Sequence, residues 1–136
     1  MSNSVRCGLI QTKNEVISPA GGTDKKLLEE IKEKMLNKHL EYTKQAAEKG
    51  VKILCYQEIF NGPYFCAEQQ TCWYETAEEI PNGPTIKLMQ ETAKKYGMVL
   101  IVPIYEKEQT GVYYNSAAVI DADAFELDQR FSGGDV

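Results

Sequence analysis

The segment at residues 51–58 constrains the fold of this chain more than any other part of the sequence. It reads VKILCYQE, so a run of mostly apolar, partly β-branched residues leads directly to the carboxylate of Glu58. Such a run is typical of a strand buried in a parallel sheet. Ligands of open α/β sheets bind just outside the carboxyl ends of the strands, and Glu58 has such a position. Glu58 is therefore the leading catalytic candidate, with a helix cap or a surface ion pair as the alternative.

A long amphipathic helix precedes this strand. Between Asp24 and Lys49, apolar residues recur at spacings of three, four or seven, while Lys and Glu occupy the other faces. Gly50 follows as the left-handed residue that commonly ends a helix. An apolar run at residues 5–11 supplies an earlier strand, so the pattern predicts a β-α-β unit with parallel strands.

The second half of the chain continues this alternation. After an irregular aromatic loop at residues 60–73, residues 84–96 show one apolar helical face, and Gly97 ends that helix. Two further β-branched runs, at 98–105 and 113–121, predict a hairpin closed by a polar loop. We expect the strands to form one sheet with both helices on a single face.

The composition excludes several classes of protein. The chain has 136 residues, of which 43% are hydrophobic and 26% charged, as in a globular domain with a core. A net charge of -5 lacks the positive footprint of nucleic-acid-binding proteins. The sequence shows neither a signal peptide nor a membrane-spanning stretch of about 20 apolar residues. We therefore expect no membrane contact and a cytoplasmic location.

The cysteines and the histidine argue against a disulfide or a metal site. Cys7, Cys55, Cys66 and Cys72 include no C-x-x-C pair, and we expect free thiols. The one histidine, His39, stands among Lys and Glu in the first helical segment and is expected to face water. No zinc site and no other cofactor is therefore expected.

Several motifs follow one another along the chain. They are RCGLIQ at 6–11, YQE at 56–58, GPYFC at 62–66, AEEIP at 77–81, GPT at 83–85, VPIYE at 102–106 and YNSAAVIDAD at 114–123. In this order they resemble the nitrilase superfamily of carbon–nitrogen hydrolases, nearest its N-carbamoyl-amine amidohydrolases. The resemblance covers residues 5–123. It implies an α/β chain that forms part of a four-layer α-β-β-α sandwich.

The resemblance also implies a chemistry. The family's catalytic set is Glu, Lys and Cys, and Glu58 matches the general base, which takes the thiol proton and passes protons to the leaving amine and the hydrolytic water. The thiolate is the nucleophile, and a carboxylate in a partly dry pocket is a suitable base for it. The implied substrate is a small amide or N-carbamoyl compound that releases ammonia. The family needs no cofactor and is usually homo-oligomeric.

Four further residues are candidates around Glu58. Tyr64 and Phe65 are expected at the substrate mouth, with packing as the alternative role. Glu106 and Asn115 are expected at strand ends beside the pocket, where they would orient the lysine or the substrate. A hydrogen-bonded strand-end pair is the alternative for these two. We expect the loop that carries Tyr64 to shield Glu58 from water.

The chain departs from the family pattern after Asp123. The family continues with a glycine and later an Arg-Lys pair, whereas Ala124 follows here and no such pair occurs. An ungapped alignment puts Ser132 at the position of the lysine that steadies the oxyanion, and Arg130 is one residue out of register. The family's nucleophilic cysteine would lie beyond Val136.

We interpret residues 1–123 as an N-terminal portion of a carbon–nitrogen hydrolase domain. Residues 124–136 are interpreted as a divergent tail, produced by truncation or frameshift, with a frayed end at 132–136. Without the lysine and the nucleophile, the chain alone is expected to be inactive.

Two other functional interpretations stay open. One is a non-catalytic partner or regulatory module that keeps half of the sandwich and binds another chain through an exposed apolar sheet face. The other is a stand-alone enzyme with Cys66 as its nucleophile. This last reading ranks lowest, because Cys66 matches a PYFC segment of the family that does not carry the nucleophile.

Overall fold

The structure is a computed structural model that describes residues 4–14, 24–66, 70–123 and the backbone of 129–135. Its strands are β1 (Cys7–Leu9), β2 (Ile53–Cys55), β3 (Val99–Gln109), β4 (Val112–Ile120) and β5 (Gln129–Asp135). Its helices are α1 (Lys25–Glu48) and α2 (Pro84–Tyr96), and a 3-10 helix spans Thr71–Thr76. This arrangement confirms the predicted α/β class.

The five strands form one sheet in sequence order. β1, β2 and β3 are parallel, with Leu54 paired between Gly8 and Leu100. β3 and β4 form the predicted antiparallel hairpin, closed by a short turn in which Gly111 has a φ of 85°. The hairpin loop is shorter than the sequence predicts, because the polar residues up to Gln109 still pair through their backbone groups.

Both helices pack on the same face of the sheet, as predicted. The core contains alternate residues of the strands together with one stripe of α2; the strand members are Leu54, Leu100, Val102, Ile104, Ala118 and Ile120, and the α2 members are Ile86, Met89 and Ala93. Leu36, Leu40 and Ala46 of α1 pack against the same core. Alternate strand residues share one face, so these contacts place α1 and α2 on one side.

The glycines at the ends of both helices were predicted, whereas the side-chain cap at the start of α1 was not. Asp24 caps α1, since its Oδ1 accepts a hydrogen bond of 2.8 Å from the backbone N–H of Leu27. Gly50 lies just past α1 with a φ of 74°, and Gly97 ends α2 with a φ of 60°. Both glycines are in the left-handed conformation that residues with a Cβ rarely adopt.

His39 is fully buried, so the prediction of a histidine that faces water was wrong. It lies on the inner stripe of α1, four residues after Met35. Its ring packs edge-on against Tyr56 and Phe60, at centroid distances of 5.9 and 5.1 Å. Burial lowers the pKa of His39 below its ordinary value of 6.5. The charged residues beside it in sequence occupy other faces of the helix, whereas the helical period aligns it with Met35.

The segment predicted to be a frayed end is largely a strand. β5 pairs antiparallel with β4, in a register that joins Val119 to Gln129 and Asn115 to Gly133. The prediction was therefore wrong for residues 132–135, while residues 124–128 and 136 lie outside the described residues. An edge strand is held by backbone hydrogen bonds, which need no alternation of apolar and polar side chains.

The second face of the sheet is open. Its side chains are half exposed, namely Ile53, Cys55, Val99, Ile101, Pro103, Ala117 and Val119. In a β-sandwich such a face packs against a second sheet. The described residues thus form one helical layer and one sheet of the four-layer arrangement.

None of the described helices is long and apolar enough to cross a membrane.

Candidate active site

Glu58 lies at the carboxyl end of β2, as predicted. The backbone N–H of Tyr56 still donates to the carbonyl oxygen of Ile101, and the chain then leaves the sheet. Glu58 opens a turn in which the N–H of Gly62 donates to the carbonyl oxygen of Ile59 at 3.2 Å. The side chain of Glu58 is exposed, so the described part of the following loop, residues 59–66 and 70–73, does not provide the expected shielding.

Asn115 holds the carboxylate of Glu58. Its Nδ2 donates to Oε1 of Glu58 at 2.5 Å. Asn115 pairs with Tyr105 across the β3–β4 hairpin, so it projects from the sheet face opposite the helices. The hydrogen bond therefore fixes the direction of Glu58 relative to the sheet, while the expected role of Asn115 towards the lysine or the substrate stays a prediction.

A polar cavity of about 240 Å³ adjoins Glu58; its lining residues are Gln11, Thr12, Asn14, Gln57, Glu58 and Tyr64. Gln57 is buried and joins the two walls of this cavity. Its Oε1 accepts a hydrogen bond of 2.7 Å from the N–H of Thr12, and its Nε2 donates to Oδ1 of Asn14 at 2.8 Å. The chain after β1 is thereby fixed to the end of β2, and the cavity lies where α/β sheets bind their ligands.

The two aromatic candidates have different positions. Tyr64 is 51% exposed and lines the cavity beside Glu58. Its pKa is raised, first by a hydrogen bond with the Cys66 thiol and then by the nearby charges of Cys66 and Glu58. Phe65 is buried between Trp73 and Tyr105, with ring centroids at 5.6 and 4.9 Å. Phe65 therefore packs the loop and does not line the cavity.

Glu106 is not brought to Glu58. Its side chain is 1% exposed, and its Oε2 accepts a hydrogen bond of 2.5 Å from Ser116. Glu106 lies two residues after Ile104 in β3, so both side chains point to the helical face of the sheet. Asn115 points to the opposite face. The expected pair of Glu106 and Asn115 in one pocket is thus divided between two faces of the hairpin.

A buried polar network that was not among the predicted sites lies behind the turn that carries Glu58. Glu78 is 6% exposed and forms an ion pair with Lys32 of α1. Its Oε1 also accepts hydrogen bonds from Nδ2 of Asn61 at 3.2 Å and from Oγ1 of Thr85 at 2.6 Å. Burial lowers the pKa of Lys32 to about 8, against the opposing charge of Glu29.

The quoted motifs AEEIP and GPT were the signal that could have revealed this network, since they contain Glu78 and Thr85. Gly83 of the GPT motif lies where a side chain would not fit, because an added Cβ would lie 2.5 Å from the carbonyl oxygen of Glu79. Lys32 gave no signal of its own, because a lysine on an amphipathic helix ordinarily lies in solvent.

Ser132, which the resemblance aligns with the expected lysine, lies on β5. Ser132 pairs with Ser116 in the β4–β5 ladder, next to the pair of Asn115 and Gly133. Within the described ranges, no group of three or more His, Cys, Asp or Glu side chains could hold a metal ion. The site is thus a carboxylate with an amide partner at the edge of a polar cavity.

The chain is similar to several curated proteins. It is 42% identical over 84 residues to the N-carbamoylputrescine amidase of Arabidopsis thaliana, covering 62% of this chain and 28% of that protein. It is 37% identical over 98 residues to omega-amidase NIT2-B of Xenopus laevis, covering 71% of this chain and 33% of that protein. The chain therefore spans about a third or less of the length of these relatives.

Solved structures share its fold. A carbon-nitrogen hydrolase from Helicobacter pylori G27 superposes with a TM-score of 0.68 at 23% identity, covering 74% of this chain and 34% of that one. Nit3 of Saccharomyces cerevisiae, from branch 10 of the nitrilase superfamily, superposes with a TM-score of 0.61 at 19% identity, covering 74% and 38%. The carbon-nitrogen hydrolase family itself matches residues 27–130, which is well over half of the sequence. The chain belongs to the carbon-nitrogen hydrolase family.

Proposed function

We propose that this chain carries the general-base portion of a hydrolase that cleaves non-peptide carbon–nitrogen bonds in N-carbamoyl amines or linear amides and releases ammonia. The observation that supports this most directly is the position of Glu58, at the carboxyl end of β2, beside a polar cavity and held by Asn115. The similarity to N-carbamoylputrescine amidases and an omega-amidase supports the substrate class.

In this proposal Glu58 acts with a lysine and a cysteine that this chain does not supply. The carboxylate takes the proton of the cysteine thiol, and the thiolate attacks the carbonyl carbon of the substrate. The lysine stabilises the tetrahedral oxyanion. Glu58 then gives its proton to the departing ammonia and takes one from the water that hydrolyses the thioester.

The exposure of Glu58 is consistent with an incomplete site. General-base catalysis in this family needs a pocket from which water is largely excluded, and here the Glu58 side chain that lines the cavity is exposed. A complete enzyme would close the cavity with the segment that carries the lysine and the cysteine. We therefore propose that the chain alone has no amidase activity.

The test measures ammonia release from N-carbamoylputrescine and N-carbamoyl-β-alanine. It compares this chain with a version extended through the family's lysine and cysteine. We expect turnover only from the extended protein, and we expect Glu58→Gln to reduce it by at least about a hundredfold. Glu91→Gln is the matched control, because Glu91 is an exposed glutamate of α2 and should leave turnover unchanged.

Two results would contradict the proposal. Full turnover by the extended Glu58→Gln protein would remove Glu58 from the catalytic set. Turnover by the unextended chain that disappears with Cys66→Ala would instead make Cys66 the nucleophile of a stand-alone enzyme.

A second candidate function is a non-catalytic partner of a complete hydrolase. The half-exposed apolar face of the sheet, with Ile53, Ile101 and Val119, favours it. Co-expression with a complete homologous enzyme would test this function. A stable complex that changes the activity of the complete enzyme would support the partner function.

A further inference from the structure

The turn after β2 contains a strained residue next to Glu58. Ile59 has a φ of 48°, although it is β-branched and only 3% exposed. A β-branched residue at positive φ is an outlier, because its side chain clashes with its own backbone there. Such a conformation persists only where the surrounding contacts determine it, and it occurs often at functional sites.

Asn61 supplies contacts that hold this turn. Its side chain is 6% exposed, and its Nδ2 lies 3.2 Å from Oε1 of Glu78 and 3.1 Å from Oγ1 of Thr85. Glu78 is held in turn by Lys32 of α1 and by the N–H of Thr85 at the start of α2. The turn is therefore tied to both helices through one side chain, two residues after the strained position.

The side chain of Ile59 holds the turn from the other direction. It packs in a buried cluster with Leu28, Phe65, Trp73 and Tyr105. A relaxed backbone at Ile59 would have to withdraw this side chain from the cluster or break the contacts of Asn61. Either change would rotate the peptide that connects Ile59 to Glu58.

We propose that Asn61 is a positioning residue for Glu58. With Glu78 and Thr85 it keeps Ile59 in the left-handed conformation and so directs the Glu58 carboxylate at Nδ2 of Asn115. The catalytic meaning of this role rests on the proposed function, but the geometric role does not. The competing explanation is that the network stabilises the fold without controlling Glu58.

The test reads the position of Glu58 directly through its partner. The chain contains six asparagines, so a dilute sample labelled with 15N-asparagine gives few side-chain amide signals. Asn115→Ala assigns the signals of Asn115, and Glu58→Gln shows where they move when the charged acceptor is lost. We expect Asn61→Ala to move them in the same direction and by most of the same shift.

Two controls separate positioning from stability. Asn37→Ala makes the same change at an exposed position of α1 and should leave the Asn115 signals in place. Ile120→Val removes a methylene from the buried core at the far end of β4 and should lower stability without moving these signals. If Asn61→Ala does not fold, Thr85→Val removes one hydroxyl of the network and preserves its shape.

Unchanged Asn115 signals in a folded Asn61→Ala or Thr85→Val protein would overturn the proposal. Failure of both variants to fold would assign the network to stability alone and would overturn it as well. These outcomes do not depend on turnover. A failure of the proposed function would appear separately, as activity of the extended Glu58→Gln protein.

Discussion

At the scale of single residues, the sequence predicted the candidate base and missed the buried polar network behind its turn. Glu58 could be found because it ends an apolar run, which is a local pattern. Asn115 could be placed by its motif. Lys32, Asn61 and Glu78 come from three separate parts of the chain, and only the tertiary structure shows that they meet. The motif AEEIP marks Glu78 as a residue of interest, but it does not show which residues Glu78 contacts.

The buried ion pair of Lys32 and Glu78 leads to a prediction about stability. Lys32→Met would leave the Glu78 carboxylate buried with neutral hydrogen-bond donors only, so the free energy of unfolding should fall by about 1–3 kcal/mol. Urea unfolding measures this change. Lys26→Met is the matched control on the same helix, because Lys26 is exposed and pairs with the exposed Glu30. That change should stay within about 0.5 kcal/mol, and equal losses in both variants would contradict the prediction.

The buried His39 predicts a loss of stability in acid. Burial holds the pKa of His39 below its ordinary value of 6.5, so the unfolded chain takes up this proton at a higher pH than the folded chain. The free energy of unfolding should therefore fall as the pH drops below about 6.5. Urea unfolding between about pH 7.5 and about pH 5.5 measures the slope. His39→Gln should reduce it, since the chain has one histidine; an unchanged slope would refute the assignment.

At the scale of elements, period and end signals predicted most of the fold. Both helices and their glycine ends, the parallel strands and the hairpin follow from local patterns. The 3-10 helix Thr71–Thr76 and β5 did not follow, because a short helix and an edge strand depend on neighbouring backbone more than on their own side chains. The conformation of the aromatic loop at residues 60–73 could not be predicted from the sequence for the same reason.

The left-handed glycine at the end of α2 gives a prediction at this scale. Gly97→Ala should lower the free energy of unfolding by about 1 kcal/mol, because a Cβ is strained at a φ of 60°. Contact with other parts of the protein is not the cause, since nothing beyond the neighbouring backbone of Gly97 lies within 4 Å of the added Cβ. Gly62→Ala is the control with equal space and no positive φ, and it should cost less. Thermal or urea unfolding of both variants measures the two losses in the free energy of unfolding. Equal losses would show that backbone strain is not the cause.

At the scale of the whole molecule, the two faces of the sheet differ. The helical face is closed over a continuous core, while the other face is half exposed. The resemblance to a four-layer sandwich predicted such an open face, and the structural neighbours share the fold. Glu58 is exposed at the edge of its polar cavity.

The open face should make the chain associate with itself. Ile101 lies near the centre of this face and pairs with Val119 across the hairpin, and both are half exposed. Contiguous apolar surface of this kind drives association in water, so the apparent mass should rise with concentration. Light scattering over a concentration series measures it. Ile101→Lys should shift the chain towards monomer, because association would then bury an unpaired charge.

Tyr42→Lys is the matched control for this prediction. Tyr42 is 40% exposed on α1, away from the open face. The substitution Tyr42→Lys also replaces an apolar surface group with a lysine. It changes the net charge by the same amount as Ile101→Lys. If association depends on the open face, only Ile101→Lys will weaken it. An equal effect of the two substitutions would attribute the change to net charge, and a monomer at every concentration would show that the face is too small or too polar to associate.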